Sequence, residues 1–327
     1  MKVAFLMDRL EHIDPEYETT SYIMYECNKR GHSMFFLEPH DIYVRAQKVV
    51  ARMDEITVHQ KSLPLQDYWQ KVLGKLEKKE RLFKIISEMD VLFLRKDPPL
   101  SYKSMEFLAP VKDKLFMIND PAGVMIGNSK LYCLNFPELI PETHISRDPE
   151  RIKRIIDNFG GDMIIKPLDR FGGQGIIKVS TKDQDNLNSL IHYYVSAYRP
   201  YPERETIMVQ EYLKEVRERG DVRILMLNGK ILGAMARKAS DGGFRTNIHA
   251  GGRPFKHEIT EREEYICQQI GPKLAEDGLL FVGIDVIGEK LMEVNCVSPG
   301  GIPRINELDH IKIEAEVMDF VEEMAGK

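Results

Sequence analysis

Short apolar runs alternate with amphipathic segments along the first third of the chain. Four apolar runs predict buried strands, and they cover residues 3–7, 34–37, 91–94 and 115–118. Residues 19–30 have the pattern of a helix that ends at Gly31. This alternation predicts a parallel sheet covered on both faces. Asp8, Arg95 and Asn119 follow predicted strands, at the edge where such sheets bind ligands.

The pattern changes after Pro121, where antiparallel strands and longer helices are predicted. The Asn228-Gly229 turn joins two such strands, and Asp148 caps a helix that Pro149 begins. The further predicted strands are 143–145, 163–167, 175–179, 207–213, 222–227 and 230–237, and the helices are 128–136, 149–159, 261–277 and 311–324. The fold class is therefore α/β, with α+β character in the C-terminal part. We expect three parts, with bounds at 1–122, 123–202 and 203–327.

Two apolar strands near the C-terminus carry isolated oxygen ligands at Asp285, Glu293 and Asn295. A lone buried carboxylate is costly unless a cation compensates it. Glu293 and Asn295 share one strand face, and a three-residue turn at residues 288–290 would place Asp285 opposite Glu293. This set suits Mg²⁺ or Mn²⁺ bridging to phosphate oxygens. The alternative is an exposed sheet face with ordinary acids.

Composition limits the possible function classes. The 327 residues are 43% hydrophobic and 30% charged, which is typical of a folded enzyme. A net charge of −5 gives no electrostatic footprint for nucleic acid. No apolar run approaches the roughly 20 residues that cross a bilayer, and we expect no signal peptide and no membrane partner.

Four cysteines are widely separated and form no CxxC pair. This spacing favours free thiols in a reducing cytoplasm over disulfides or zinc. They are Cys27, Cys133, Cys267 and Cys296.

A glycine-rich loop follows Lys166. Gly172, Gly173 and Gly175 would let backbone N–H groups approach a phosphate, with Lys166 and Lys130 as point charges. The spacing differs from a Walker-type loop. Taken alone, the loop is equally consistent with a simple turn.

The end of the 207–213 strand has the composition of a hinge beside an adenine base. Backbone groups of Gln210, Tyr212 and Leu213 would read the purine edge, and Glu211 would accept hydrogen bonds from ribose or adenine. The alternative is an ordinary strand end.

Basic residues follow on the next strands and loop. Arg223 and Arg237 lie in apolar strands and need anionic partners if buried. Arg245 and Asn247 begin the run 245–252, which ends in two glycines and would order over a bound substrate as a lid. We expect neither a catalytic histidine in this run nor a nucleophilic Cys296.

The order of these motifs resembles the ATP-grasp ligases, and more specifically the prokaryotic glutathione synthetase family. The resemblance extends over nearly the whole chain. The motifs that carry it include Asn128-x-Lys130, Ile-Ile-Lys166-Pro-Leu-Asp, Gln210-x-Tyr-Leu, Gly-Asp-x-Arg223, Arg245-x-Asn247, Phe-Val-Gly-x-Asp285 and Glu293-Val-Asn295, together with Arg95-Lys-Asp-Pro-Pro99.

The resemblance implies an ATP-grasp fold preceded by a parallel-sheet substrate domain, with ATP between two subdomains. By this likeness Lys130 and Lys166 would hold the phosphates, residues 210–213 would contact adenine, and the three oxygen ligands would bind two Mg²⁺. Arg223, Arg237 and Asn247 would stabilise an acyl phosphate and the tetrahedral intermediate. The implied substrates are ATP, γ-glutamylcysteine and glycine, and the implied assembly is a homo-oligomer, either a dimer or a tetramer.

One segment departs from the family pattern. Gly300 replaces a threonine position beside the acceptor site, and Arg304 appears one place late. We therefore expect looser acceptor choice, admitting alanine or serine beside glycine. Two alternatives stay open: a related carboxylate–amine ligase with other substrates, and an inactive nucleotide-binding module.

Overall fold

Three β-sheets organise the part of the chain that the structure describes. The computed structural model describes residues 1–77, 81–168, 170, 172–239, 246 and 251–326. Within these ranges, no helix combines the length and apolarity needed to span a membrane.

The first sheet has a parallel part at one end and an antiparallel extension at the other. Its strands, among the described residues, are β1 (Lys2–Met7), β2 (Ser33–Leu37), β3 (Ile42–Arg45), β4 (Lys48–Glu55), β5 (Arg81–Ile85), β6 (Val91–Arg95) and β7 (Phe116–Ile118). The order is β3-β4-β2-β1-β6-β7, and β5 also pairs with β4. The four apolar runs form the parallel strands β1, β2, β6 and β7 as predicted. The antiparallel strands β3, β4 and β5 were not predicted.

The second and third sheets are antiparallel. The second has the order β10-β9-β11-β8 and the third β14-β13-β12-β15-β16. Their strands, again among the described residues, are β8 (Thr143–Ser146), β9 (Asp162–Pro167), β10 (Ile177–Ser180), β11 (Ile207–Glu211), β12 (Asp221–Leu227), β13 (Lys230–Lys238), β14 (Arg253–Lys256), β15 (Phe281–Ile287) and β16 (Lys290–Asn295).

Helices cover the sheets and connect their strands. The α-helices of the described ranges are α1 (Thr19–Arg30), α2 (Leu65–Leu76), α3 (Tyr102–Leu108), α4 (Pro121–Gly127), α5 (Pro149–Phe159), α6 (Gln184–Tyr194), α7 (Glu215–Glu218), α8 (Glu261–Glu276), α9 (Ile302–Asp309) and α10 (Ile313–Ala325). Short 3-10 helices occupy Leu10–His12, Pro39–Asp41, Ile86–Glu88, Ala109–Lys114, Lys130–Asn135 and Tyr201–Glu203.

Local capping chemistry explains why two predicted helices have the expected bounds. Glycine in the left-handed conformation ends both helices, with φ of 81° at Gly31 after α1 and 69° at Gly160 after α5. At the start of α5 the Asp148 side chain accepts a hydrogen bond from the backbone N–H of Arg151, and Pro149 is the first helical residue.

The hairpin of β15 and β16 pairs Asp285 with Glu293, as predicted, but for a different reason. The predicted three-residue turn is wrong, because Ile287 pairs with Lys290 and the turn contains two residues. A register shift next to Asp285 leaves Met292 without a partner and supplies the offset. The acidic side chains therefore share one sheet face through a bulge.

Polar residues at the carboxyl edge of the first sheet connect it to the third. Arg95, which ends β6, donates to the Pro299 carbonyl at 3.2 Å. The Asn119 amide donates to the carbonyls of Phe281 at 2.8 Å and Cys296 at 2.6 Å, and it accepts from the Phe281 N–H at 2.7 Å. The end of β15 nearest Phe281 is thus fixed against the first sheet.

Candidate active site

A cavity of about 150 Å³ lies between one face of the second sheet and one face of the third. On the second sheet, Lys166 pairs with Met208 and Ile164 pairs with Gln210, so these four side chains share a face. The lining residues are Lys130, Ile164, Lys166, Gly173, Ile176, Met208, Glu211, Tyr212, Leu213, Val216, Asp221, Arg237, Thr246, Asp285, Ile287, Met292 and Glu293.

Two lysines reach the cavity from different elements. Lys130 begins a 3-10 helix, and its ammonium donates to the carbonyls of Leu168 at 3.5 Å and of Arg170. The Lys166 ammonium donates to Gln210 Oε1 at 2.6 Å. Burial lowers the pKa of Lys166, and the Glu293 carboxylate opposes that shift. The cavity thus contains a cationic wall that suits phosphate groups.

The glycine-rich loop beside these lysines needs its glycines for backbone reasons. Gly172, Gly173 and Gly175 have φ values of 62°, 75° and 71°, in the left-handed region that side chains disfavour. Gly173 lines the cavity, whereas Gly172 and Gly175 are not among its lining residues.

The predicted adenine hinge lies where β11 ends. Glu211, Tyr212 and Leu213 line the cavity. Backbone hydrogen bonds fix two of them. The Glu211 N–H donates to the Glu142 carbonyl at 2.9 Å, and the Tyr212 N–H donates to the Asp162 carbonyl at 3.2 Å. The Lys178 ammonium lies 4.8 Å from the centre of the Tyr212 ring. Gln210 is buried instead, and its side chain contacts Lys166 and Thr143.

The opposite wall is the face of the third sheet that carries the three predicted metal ligands. Asp285 and Glu293 are paired across β15 and β16, and Asn295 pairs with Gly283 one step along the same face. The Asn295 amide donates to Asp285 Oδ2 at 3.3 Å. Asp285 and Glu293 line the cavity, whereas Asn295 is not among its lining residues.

Two arginines converge on Asp285. Arg223 donates from Nε to Oδ1 at 2.6 Å and from Nη2 to Oδ2 at 3.0 Å, and its Nη1 donates to the Gly300 carbonyl at 3.2 Å. Arg237 Nη2 lies 2.9 Å from Asp285 Oδ1, and its Nε donates to Asp221 Oδ1 at 3.0 Å. The predicted cationic pair is therefore ordered on the carboxylate side of the cavity.

The pKa values of the two carboxyl groups are shifted in opposite directions. Burial by itself would raise the pKa of Asp285, but the charges of Arg223 and Arg237 outweigh it and lower the value to about 2. Burial raises the pKa of Glu293, and the negative charge of Asp285 adds to that effect. Asp285 is thus ionised at neutral pH, whereas burial and the charge of Asp285 favour the protonated form of Glu293.

Sequence models of two domains of one protein family match this chain. The sequence model of the prokaryotic glutathione synthetase N-terminal domain matches residues 1–125, and that of the family's ATP-grasp domain matches residues 129–310. The chain belongs to the prokaryotic glutathione synthetase family. The glutathione synthetase of Gloeobacter violaceus is 37% identical over 333 residues, covering 99% of this chain and 97% of the relative. That of Brucella melitensis is 36% identical, covering 98% of each chain.

Solved structures confirm the ATP-grasp fold. The D-cycloserine synthetase DcsG superposes with a TM-score of 0.63 at 9% identity, covering 98% of this chain and all of that one. A RimK-domain ATP-grasp protein from Sphaerobacter thermophilus gives a TM-score of 0.62 at 14% identity, covering 98% of this chain and 99% of that one.

The donor set of this family member fits a divalent cation. Two carboxylates and an amide oxygen on one sheet face offer hard ligands of the kind Mg²⁺ and Mn²⁺ prefer. No described residue forms an ion pair with Glu293, and burial beside Asp285 raises the pKa of its carboxyl group. A bound cation would offset both effects.

Two predicted site residues, Arg245 and Asn247, lie outside the described residues. Of the predicted lid 245–252, the described residues are Thr246, which is buried and lines the cavity, and the two glycines at its end.

Sequence reasoning missed Asp221, a buried carboxylate that faces Arg237 across β12 and β13 and accepts its fork of hydrogen bonds. The signal was available, since Asp221 stands two residues before Arg223 and therefore on the same strand face. Thr143 was missed as well, because its contact with Gln210 depends on the pairing of β8 with β11.

Proposed function

We propose that this chain joins γ-glutamylcysteine to glycine, with cleavage of ATP to ADP and phosphate, through an acyl phosphate. Family membership supports the reaction. The single structural observation that carries it is the cavity, where Lys130 and Lys166 face Asp285 and Glu293 between two antiparallel sheets. A lysine wall suits phosphates and a carboxylate wall suits their cation, so the arrangement favours phosphoryl transfer.

The first step is attack by a carboxylate oxygen of γ-glutamylcysteine on the γ-phosphorus of ATP. A new P–O bond forms, the bond to ADP breaks, and Lys130 and Lys166 hold the phosphates in place. When bound, Mg²⁺ or Mn²⁺ would offset the phosphate charge from a site made by Asp285, Glu293 and Asn295.

The second step is attack by the glycine amine on the acyl carbon. The C–N bond forms, the C–O bond to phosphate breaks, and the amine loses a proton. We assign Arg223 and Arg237, with Arg245 and Asn247, to stabilising the negative charge that develops on the tetrahedral centre. Closure of residues 245–252 would exclude the water that hydrolyses an acyl phosphate.

The experiment that tests this function is ADP release with Mg-ATP and γ-glutamylcysteine, with and without glycine, and identification of the products by mass. Glycine-dependent ADP release together with a glutathione mass is the expected result. ATP binding without turnover on these substrates would overturn the proposal.

We infer a broad choice of acceptor from the open space at Gly300. A Cβ built there meets no heavy atom within 4 Å, and the Gly300 carbonyl accepts from Arg223. Alanine and serine should therefore replace glycine measurably, and Gly300→Thr should restrict the choice. Strict preference of the unaltered protein for glycine in competition assays would refute this.

We further propose a cytoplasmic homo-oligomer, a dimer or tetramer, with small molecules as its substrates. The four cysteines are all buried as free thiols, which supports a reducing compartment. Assembly rests on family likeness alone, and sedimentation of the purified protein tests it.

A further inference from the structure

On the cavity face of the second sheet, three polar side chains form a hydrogen-bonded chain of Thr143, Gln210 and Lys166. The Thr143 hydroxyl donates to the Pro141 carbonyl at 2.8 Å. The Gln210 amide donates from Nε2 to Thr143 Oγ1 at 2.8 Å, and Gln210 Oε1 accepts from the Lys166 ammonium at 2.6 Å. The hydrogen-bonded chain runs from the edge strand β8 across β11 to β9, on the cavity face of the second sheet.

The strand register builds this arrangement. Thr143 pairs directly with Gln210, and Gln210 lies diagonal to Lys166, whose own partner is Met208. Side chains at such positions lie on one face and within reach of one another. Gln210 is 3% exposed, so water cannot substitute for either of its partners.

The hydrogen bond from Thr143 to Pro141 determines the direction of the other two. Thr143 has one hydroxyl proton and gives it to Pro141, so it offers a lone pair to Gln210. The NH₂ group of Gln210 must then face Thr143, and its carbonyl must face Lys166. A reversed amide would place N–H donors against an ammonium group.

We propose that Thr143 and Gln210 are positioning residues, which hold the Lys166 ammonium toward the part of the cavity that would contain the phosphates of ATP. This rests on the proposed nucleotide site. The acceptor that Gln210 offers is neutral, so it orients the ammonium and leaves its positive charge in place. A glutamate at this position would cancel that charge. Gln210 therefore acts through Lys166, rather than by contact of its side chain with adenine.

The test compares binding of ATP, ADP and adenosine to variants of the full chain. Thr143→Val removes the hydroxyl and keeps the shape, and should weaken ATP and ADP binding about fivefold. Gln210→Met removes the hydrogen bonds to Thr143 and Lys166, and it should weaken ATP and ADP binding about tenfold or more. Adenosine lacks phosphates, so its affinity should be unchanged in both variants.

Two matched variants separate positioning from general damage to the sheet. Thr143→Ser keeps the hydroxyl and should restore ATP affinity. Ser146→Ala removes a hydroxyl from the same strand, where it accepts from the Asp148 N–H, and should leave nucleotide affinity unchanged. Melting temperatures of all variants show whether folding is retained.

Equal losses for ATP and adenosine would overturn the proposal, because they would place Gln210 at the base. An unchanged ATP affinity in folded Thr143→Val and Gln210→Met would overturn it as well. These readouts use nucleotide binding alone, so they are independent of whether the proposed ligase substrates are correct.

Discussion

At the scale of single residues, Asp285 carries the electrostatics of the cavity. It accepts from two guanidinium groups and from the Asn295 amide while only 8% exposed. The pKa of its neighbour Glu293 is raised, and none of the described residues forms an ion pair with that carboxylate. The pair therefore combines a fixed negative charge with a site for an added positive one.

Replacing Asp285 tests that balance. Asp285→Asn should lower ligase turnover at least about a hundredfold, and it should cost about 2–3 kcal/mol of unfolding free energy at neutral pH, because Arg223 loses its carboxylate partner and Arg237 keeps only Asp221. The pKa of Asp285 is lowered from 3.8 to about 2. Its stabilisation is therefore complete above about pH 4 and is lost as the pH falls through about 2.

Urea unfolding of the unaltered protein and the Asp285→Asn variant at neutral pH, about pH 4 and about pH 3 checks this prediction. The stability difference should shrink below about pH 4. A difference that stays constant with pH would show that the charge of Asp285 is not its cause.

Gly283 provides the space that Arg223 occupies. A Cβ at residue 283 would lie 3.1 Å from Arg223 Cδ and 3.2 Å from Pro299 Cβ. Gly283→Ala should therefore displace the guanidinium, lowering turnover about tenfold and stability by about 1–3 kcal/mol.

The matched control is Gly74→Ala in α2, where a new Cβ meets nothing within 4 Å. It should retain full turnover, and steady-state kinetics of both variants make the comparison. Full turnover of Gly283→Ala would mean that Arg223 needs no fixed position.

At the scale of elements, one arginine connects the first helix to the last. Arg30, at the end of α1, donates to Asp319 at 2.7 Å, Glu322 at 2.9 Å and the Ala315 carbonyl at 3.0 Å, all on α10. Arg30→Met should cost about 1–3 kcal/mol, lowering Tm by about 2–8 °C.

Calorimetry checks the Arg30 prediction, with Lys103→Met as its control. Lys103 is 79% exposed and pairs with Glu106 on its own helix, so its loss should leave Tm unchanged. Equal Tm values for the Arg30 variant and the control would contradict the role of Arg30 in joining the two helices.

How far the sequence predicts each element depends on how local its signals are. α1 and α5 were predicted with correct bounds, because caps and glycines within each segment set them. β4 exposes Lys48, Arg52 and Glu55 and buries the residues between them. It therefore lacks the clean alternation of a half-buried strand, and the antiparallel extension was missed. The pairing of Asp285 with Glu293 was predicted, but a bulge at Met292 produces it.

The neighbours of site residues were less predictable than their chemical type. Asp285 and Glu293 stand out in apolar strands, so the carboxylate wall was expected. The direction of the Gln210 side chain depends on the register of three strands, and no local pattern encodes it.

At the scale of the whole molecule, the first and third sheets share their cores, whereas the second has its own. One buried cluster joins Val3 and Phe5 of β1 to Phe281 of β15. The cluster under the second sheet contains buried residues between Ile152 and Val209 alone. The cavity therefore lies between two units that are not joined by a common core.

Hydrogen exchange tests this division. Backbone amides of β11 should exchange through openings that cost less free energy than those of β15, because the second sheet can open without breaking the shared cores. Saturating Mg-ATP should slow exchange in β11, since the nucleotide would contact both walls. Equal opening free energies for β11 and β15, together with no effect of Mg-ATP on exchange, would contradict the division into two units.

In the proposed reaction, the cavity makes an acyl phosphate from a substrate carboxylate. The most direct measurement uses γ-glutamylcysteine with both oxygens of its cysteinyl carboxylate labelled with ¹⁸O, followed by mass analysis of phosphate and product. Transfer of one ¹⁸O atom to each released phosphate, with the other retained in the new amide, is the predicted result. Phosphate free of ¹⁸O during product formation would contradict the acyl-phosphate route.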